Sequence, residues 1–444
     1  MGLFENPFAY TGEELKEAYY GKIEEARQIS LKSARESLVL LKNNGVLPIN
    51  KAVKKILFVG PQANNARYFF GGYTHISMTE ACYAAASAMA GVEMEEKILE
   101  SGLKVIPGTN IQDDDMPILD EIMKHQKPDC PSLIEATKLL APDIKIDYAF
   151  GYYIAGDDES HHDEALDKMK DADLIIFMLG GKHGSCSLSS MGEGVDGSDI
   201  NLPKSQDLLI EKASKLNKPM VGIHMCGRPI SSDIADQYLD AILEAFNPSE
   251  FGGRAIAETI LGINNPSGKM PVTTALNAGQ LPIHYNHANG SAWHQGDSIG
   301  FKDYVDLSHM PRYHFGFGLS YTTFEYRNLE IEKTDLLATE TIKVSFELEN
   351  TGKVAGTEIV ELYAKDPRAS TVRPNIELVD FKRVELEAGK KTKVSFFFSP
   401  MQMALLDRDM RWKVEKGNLK LFVAAASNDV RLETELFIKD NYFL

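Results

Sequence analysis

Two hydrophobic rhythms divide the chain. From Ile23 to Leu41 apolar residues recur at Ile23, Ala26, Ala34, Leu38 and Leu41, close to the helical period, and Asn43-Asn44-Gly45 supplies a stop. This predicts an amphipathic helix leading into a first domain. Next, Lys55-Ile56-Leu57-Phe58-Val59-Gly60-Pro61 reads as a short apolar strand ending at Gly/Pro. Comparable runs return at residues 174–179, 220–225 and 241–246, separated by segments of helical character. One such segment starts at Pro203 and carries Leu209, Ala213 and Leu216 at i, i+4 and i+7. Alternating strands and helices predict an α/β fold, a mainly parallel sheet sandwiched by helices. Ligands of such sheets sit beyond the carboxyl ends of the strands, so the loop after Leu179 is the place to look for chemistry.

After Pro271 the helical signals stop, and a stretch rich in Asn, His, Gly and aromatics runs to about Arg327. It reads as a long connection laid over both domains. From Ile342 the period becomes two: Val344, Phe346 and Leu348 alternate with polar residues up to Asn350-Thr351-Gly352. Further strands are expected at residues 358–364, 378–384, 393–398 and 419–425, which together predict an antiparallel sandwich of roughly 100 residues. The expected organisation is a leading segment and helix (1–50), an α/β domain (51–275), a connection (276–330) and an all-β sandwich (331–444).

Bulk properties narrow the function. At 444 residues more than one core is expected. The formal charge of −17 opposes binding to nucleic acid or anionic membranes. No apolar run approaches the ~20 residues of a membrane span. Without a visible secretory signal the default compartment is the cytoplasm. Cys82, Cys130, Cys186 and Cys226 are scattered with no Cys-x-x-Cys pair, which reads as reduced structural thiols. Asp157-Asp158-Glu159-Ser160-His161-His162-Asp163-Glu164 holds metal-ligand types but lacks a calcium-loop or His-x-x-x-His spacing, so an acidic helix start is expected, with no metal and no cofactor.

The most reactive-looking segment is the glycine-rich stretch from Gly180 to Gly197. Gly192, Gly194 and Gly197 spell G-x-G-x-x-G, yet about a dozen residues separate them from the strand, and Glu193 and Asp196 would face the phosphates. A dinucleotide site is rejected. Glu193, held between two glycines, could instead approach a sugar's bridging oxygen and donate a proton, one of the two carboxyl roles glycoside hydrolysis requires. The plain alternative is a solvated surface charge. Trp293 could stack on a sugar face or pack the connection onto the core. His183 and His224 read as loop or core residues.

Gly192-Glu193-Gly194-Val195-Asp196 followed by Ile200-Asn201-Leu202-Pro203 resembles the acid/base segment of glycoside hydrolase family 3, the β-glucosidases and β-xylosidases. Further segments resemble that family in order: Ala34-Arg35-Glu36-Ser37-Leu38-Val39-Leu40-Leu41-Lys42-Asn43, Cys226-Gly227-Arg228-Pro229, Asn265-Pro266-Ser267-Gly268-Lys269-Met270-Pro271, Gln280-Leu281-Pro282, Tyr285-Asn286-His287 and Tyr313-His314-Phe315-Gly316-Phe317-Gly318. The resemblance implies the family's α/β sandwich domain followed by a fibronectin type III-like module, with Glu193 as general acid/base. It departs at Gly197, where the family has arginine.

The family's catalytic barrel, which carries the nucleophile, has no counterpart here. The expectation is a carboxyl-terminal subunit or fragment of a retaining β-glycosidase, β-glucosidase first and β-xylosidase second, inactive without a separate barrel. Met1 within the family's linker favours a split gene or a deliberate cut. The rival is a non-catalytic carbohydrate-binding or scaffold protein. Expected partners are a β-linked oligosaccharide or glycoside and the barrel subunit, and association of identical copies stays open.

Overall fold

The computed structural model describes residue 4 and residues 22–85, 104–288 and 303–444. Trp293 and, apart from Phe4, the opening stretch through Pro7 lie outside the described residues.

Helix α1 (Ile23–Ser37) buries Leu31 and Ala34 and is followed by strand β1 (Val39–Asn43). The helix expected to run to Leu41 therefore ends four residues early. Leu38, Val39, Leu40 and Leu41 are consecutive apolar residues, and as a strand they feed two cores at once: Leu40 enters the core on one sheet face, Val39 and Leu41 that on the other. A surface helix, apolar along one stripe only, could not bury all four. β1 also falls inside the segment 1–50, expected to precede the domain, and yet forms the edge of its sheet.

The sheet continues with β2 (Lys55–Val59), β3 (Lys145–Ala149), β4 (Leu174–Gly180), β5 (Met220–Met225) and β6 (Ala241–Glu244), in the order β1-β6-β5-β4-β2-β3. Only β1 runs antiparallel to its neighbour. Helices α2 (His75–Ala81), α3 (Pro117–Gln126) and α4 (Leu133–Leu140) lie on the face shared with α1. The opposite face carries α5 (His162–Met169), α6 (Lys204–Ser214) and α7 (Asp233–Tyr238), while α8 (Gly252–Ile260) returns to the first. The sheet is thus doubly wound. The chain steps from β2 outward to β3 and then back past β2 to β4, so the winding reverses between β2 and β4, the point in such sheets beyond whose carboxyl ends ligands commonly bind.

The second unit is a β-sandwich. Strands β7 (Phe324–Ile331), β8 (Asp335–Leu336), β9 (Ile342–Asn350), β10 (Gly356–Lys365), β11 (Glu377–Leu386) and β12 (Lys391–Phe398) are joined by two later long ones, β13 (Gly417–Ala426) and β14 (Asp429–Ile438). A five-stranded sheet, β11-β10-β13-β14-β8, faces a three-stranded one, β12-β9-β7. Inward residues such as Phe346, Leu362, Phe396 and Leu421 fill the space between them, with Tyr326, Phe346 and Phe396 stacked in series. β7 begins inside the expected connection 276–330, its strand character masked by Glu325, Arg327 and Asn328.

The described part of the connection does touch both units. Arg312 pairs with Asp233 and Asp236 of α7, and Tyr285 stacks on Phe315 at 4.3 Å beside Tyr363 of β10. Lys269, just past α8, reaches Glu358 of β10 at 3.2 Å and the Ala425 carbonyl of β13 at 3.1 Å.

Candidate active site

The segment from Gly180 to Pro203 leaves β4 at the point where the winding reverses. Its base is held by two buried glutamines. Gln206, on the first turn of α6, accepts the Gly180 N–H through Oε1 at 2.8 Å and donates Nε2 to the Gly180 carbonyl at 2.8 Å. Gln62, just after β2, donates to the same carbonyl at 3.3 Å. Gly180 itself has φ +104°, and a Cβ there would lie 2.6 Å from the Met225 carbonyl, so only glycine fits. Both ends of the loop are thereby tied to one residue.

Inside the loop the chain doubles back on itself. Ser190 and Met191 donate their N–H groups to the Lys182 carbonyl, and the Gly184 N–H bonds the Met191 carbonyl at 2.9 Å. Cys186 and Leu188 pack against Leu119 of α3, while Met191 meets Cys226 beyond β5. Lys182 is 1% exposed and pairs at 2.7 Å with Glu80 of α2, which in turn holds Arg67 at 2.7 Å. Arg67 continues to Asp114, which also accepts from the Tyr68 hydroxyl at 2.6 Å. Burial works against the Arg67 charge, but Asp114 and Glu80 outweigh it and its pKa is raised. Burial, reinforced by Asp114, holds Tyr68 protonated.

From this anchored base the chain emerges at a tight turn. The Val195 N–H bonds the Gly192 carbonyl at 3.1 Å, and Gly194 takes φ +70°, as the third position of a type II turn requires. Glu193 occupies the second position. It is exposed and carries no hydrogen bond or ion pair among the described residues, whereas Met191 and Val195 on either side are buried. The carboxylate is presented outward by a turn whose flanks are fixed. Asp196 and Gly197 follow, also exposed, and the chain returns through buried Leu202 to Pro203, which caps α6.

Beside the turn lies a cleft of about 540 Å³, lined among others by Asp157, Ser190, Asp199, Lys204 and Arg228. Arg228 brings its guanidinium within 3.0 Å of where a Gly197 Cβ would stand. A cation therefore borders position 197 although the residue there is glycine. His183 is half-buried in the loop and His224 fully buried at the end of β5. The acidic stretch 157–164 opens α5, with Asp163 and Glu164 in its first turn. Among the described residues no three acidic, His or Cys side chains gather as metal ligands would, and no helix is long and apolar enough to cross a membrane.

Glu193 thus lies on the loop that leaves the carboxyl end of β4, the segment singled out from the sequence. Gln62, Gln206, Glu80 and Lys182, which hold the loop, were not singled out from the sequence. Gln206 left one trace, a polar side chain on the same helical face as Leu209 and Ala213. The others are brought together only by contacts distant in sequence.

The family model of the glycosyl hydrolase family 3 C-terminal domain matches residues 38–321, and that of the fibronectin type III-like domain matches residues 358–427. The chain is 29% identical to the periplasmic β-glucosidase of Salmonella typhimurium over 442 residues, covering 97% of this chain and 53% of that protein. It is 30% identical to a β-xylosidase of Formosa agariphila, covering 93% and 50% respectively. The solved structure of a β-glucosidase from Erythrobacter marinus superposes with a TM-score of 0.76 at 29% identity, over 98% of this chain and 53% of that one. The chain spans about half the length of the curated relatives it matches.

Proposed function

Because the chain belongs to glycosyl hydrolase family 3 and matches the C-terminal half of its relatives, we propose that it furnishes the general acid/base, Glu193, of a retaining β-glycosidase. β-Glucosidase is the first reading and β-xylosidase the second, following the names of the relatives. The nucleophile belongs to a barrel outside these residues, in our reading a separate subunit, against which the loop 181–203 docks. The observation that carries the proposal is the geometry of Glu193: a carboxylate that is exposed and unpaired among the described residues, at the second position of a glycine-flanked turn, on a loop whose base at Gly180 is anchored at the switch point.

In the first step the Glu193 carboxyl gives its proton to the glycosidic oxygen as the C–O bond breaks and the barrel's carboxylate bonds to the anomeric carbon. In the second, the Glu193 carboxylate takes a proton from water while the water oxygen attacks that carbon and releases the nucleophile. Gly197, where the family has arginine, favours the rival reading of a non-catalytic sugar-binding or scaffold module.

One experiment separates the two. In a complex reconstituted with a barrel, Glu193→Gln lowers kcat/KM for glycosides with poor leaving groups by about 10²–10⁴-fold; for activated aryl glycosides it spares kcat/KM but lowers kcat, because water must attack the glycosyl-enzyme without a base. Azide then restores turnover of the activated substrates as a glycosyl azide of retained configuration. Equal losses on all substrates without azide rescue remove Glu193 from this role and leave the binding module.

A further inference from the structure

The acid/base step leaves unused the ring of His183, two residues into the loop after Gly181 and half-buried where four connections meet. Its Nδ1 accepts the Gly72 N–H at 3.1 Å, and the Asn247 amide nitrogen stands 3.4 Å from the same atom. Two glycines flank the ring with no space for a side chain: a Cβ on Gly227 would lie 2.6 Å from the ring Cγ, and one on Gly71 2.9 Å from Nδ1. Gly71 and Gly72 follow β2, Gly227 follows β5, Asn247 follows β6, and His183 itself follows β4. The carboxyl-end loops of four neighbouring strands thus close on one imidazole.

This seat is coupled to the acid/base turn through the backbone. His183 forms a bridge with Met191, and the next residue, Gly184, donates its N–H to the Met191 carbonyl at 2.9 Å. Met191 leads directly into Gly192, whose Cβ, if it had one, would strike the Gly184 carbonyl at 1.9 Å. The loop is closed so tightly here that a displacement of residues 183–184 must displace residues 191–192, and with them Glu193. The Nδ1 acceptor also needs a neutral ring. Burial, with Lys182 and Arg228 nearby, lowers the His183 pKa and keeps it so.

We propose that His183 is a positioning residue for the acid/base reaction: its glycine-walled seat fixes the Gly192–Val195 turn and so the line of approach of the Glu193 carboxyl. The proposal rests on the reading of Glu193 as acid/base. It differs from a merely structural role in what its loss does to catalysis. A carboxyl off its line fails where proton donation matters and not where the leaving group departs unaided.

The test has one arm on the isolated chain and one on the reconstituted complex. On the isolated chain, His183→Ala speeds hydrogen exchange at the Gly184 and Met191 amides, while His183→Asn, whose Oδ1 sits near the place of Nδ1, restores much of the protection. In the complex, His183→Ala lowers kcat/KM for poor-leaving-group glycosides by roughly 10–10²-fold, the cost of about 1 Å of misplacement. Activated aryl glycosides stay close to the parent, and His183→Asn recovers most of the loss. Gly227→Ala, which pushes on the ring, reproduces the selective loss, and in the His183→Ala background it adds almost nothing, because the atoms it would strike are gone. A uniform loss across leaving groups, an Asn variant no better than Ala, or strictly additive effects of the two substitutions overturn the proposal. Failure of Glu193→Gln to discriminate leaving groups strikes the acid/base reading and the catalytic half of the proposal with it. Unchanged exchange at Gly184 and Met191 in His183→Ala strikes the seat itself.

Discussion

Replacing Lys269 by methionine tests how the two units are joined. The ammonium group lies between them, 3.2 Å from the Gly318 carbonyl, 3.1 Å from the Ala425 carbonyl and 3.2 Å from Glu358 Oε1. Glu358 is 7% exposed; its other hydrogen bond among the described residues comes from the Tyr326 hydroxyl at 3.2 Å, and the Arg431 charge lends weaker support. Burial raises the pKa of Glu358, with Lys269 the strongest influence opposing it. Methionine keeps most of the stem's packing and removes the charge. The carboxylate is then buried with one neutral donor, and two carbonyls lose theirs. Hydrogen bonds to charged groups contribute about 1.5–3 kcal/mol each, but they share one ammonium and do not add. Removing one partner of a buried pair sets the scale, about 3–5 kcal/mol. The loss is greatest at neutral pH and shrinks as pH falls, because the stranded Glu358 takes up a proton in the folded state more readily than in the unfolded one. Adding Glu358→Gln removes the stranded charge and returns at least about 2 kcal/mol. Urea denaturation of the whole chain, followed by circular dichroism at two pH values, measures all three quantities. A loss below about 1 kcal/mol, or a double variant no more stable than Lys269→Met, refutes the view that this lysine neutralises a buried carboxylate between the units.

Gln206→Leu keeps the volume at the foot of the loop 181–203 but leaves the Gly180 N–H without its acceptor. It should cost about 1–3 kcal/mol in urea denaturation and expose residues 181–203 to limited proteolysis, and unaltered cleavage in that segment would contradict the anchoring described for it. Asp207, next along α6, has its pKa pushed up to about 6, chiefly by burial. Its unfolded value is about 3.9, so between these the folded state binds more protons, and its contribution to stability, full below about pH 4, is lost as pH rises through about 6. Asp207→Asn should therefore gain on the parent at pH 7 relative to pH 4.5, and the same difference between the two proteins at both pH values would show that the carboxyl does not titrate as described.

How much could be read from the sequence follows from where each signal resides. Strands β2, β4, β5 and β6 are buried on both faces and announced themselves as continuous apolar runs, as parallel sheets covered by helices do. Edge strand β3 did not, because Lys145, Asp147 and Tyr148 meet solvent or lie half-exposed. The same two-sided burial that revealed the inner strands disguised β1. Its apolar run happens to continue the spacing of α1, and only pairing with β6, about 200 residues away, decides for a strand. In the sandwich, β9 was legible from strict alternation, whereas β7 carries charges that face water.

The choice of Glu193 as candidate came by a different route. Nothing in its spacing separates a catalytic carboxylate from a solvated one, and the motif resemblance alone singled it out. The structure adds a physical reason to take the residue seriously. A glutamate at the apex of a surface loop is ordinarily free to wander, but here the chain spends two buried glutamines, a buried lysine–glutamate–arginine chain and a histidine seat on the segment that carries it. Burying Lys182 and Glu80 at 1% exposure each is a costly way to fix a loop, since both ions lose their hydration and are compensated, among the described residues, by each other, by Arg67 and by the Tyr68 ring over which Lys182 lies. An apolar contact would be the simpler solution if the loop had only to stay folded. Polar anchors specify one geometry, because hydrogen-bond directions are narrower than van der Waals contact. The result is a rigid base beneath a carboxylate that is exposed and unpaired among the described residues; under the proposed reading, that is the arrangement a proton donor needs.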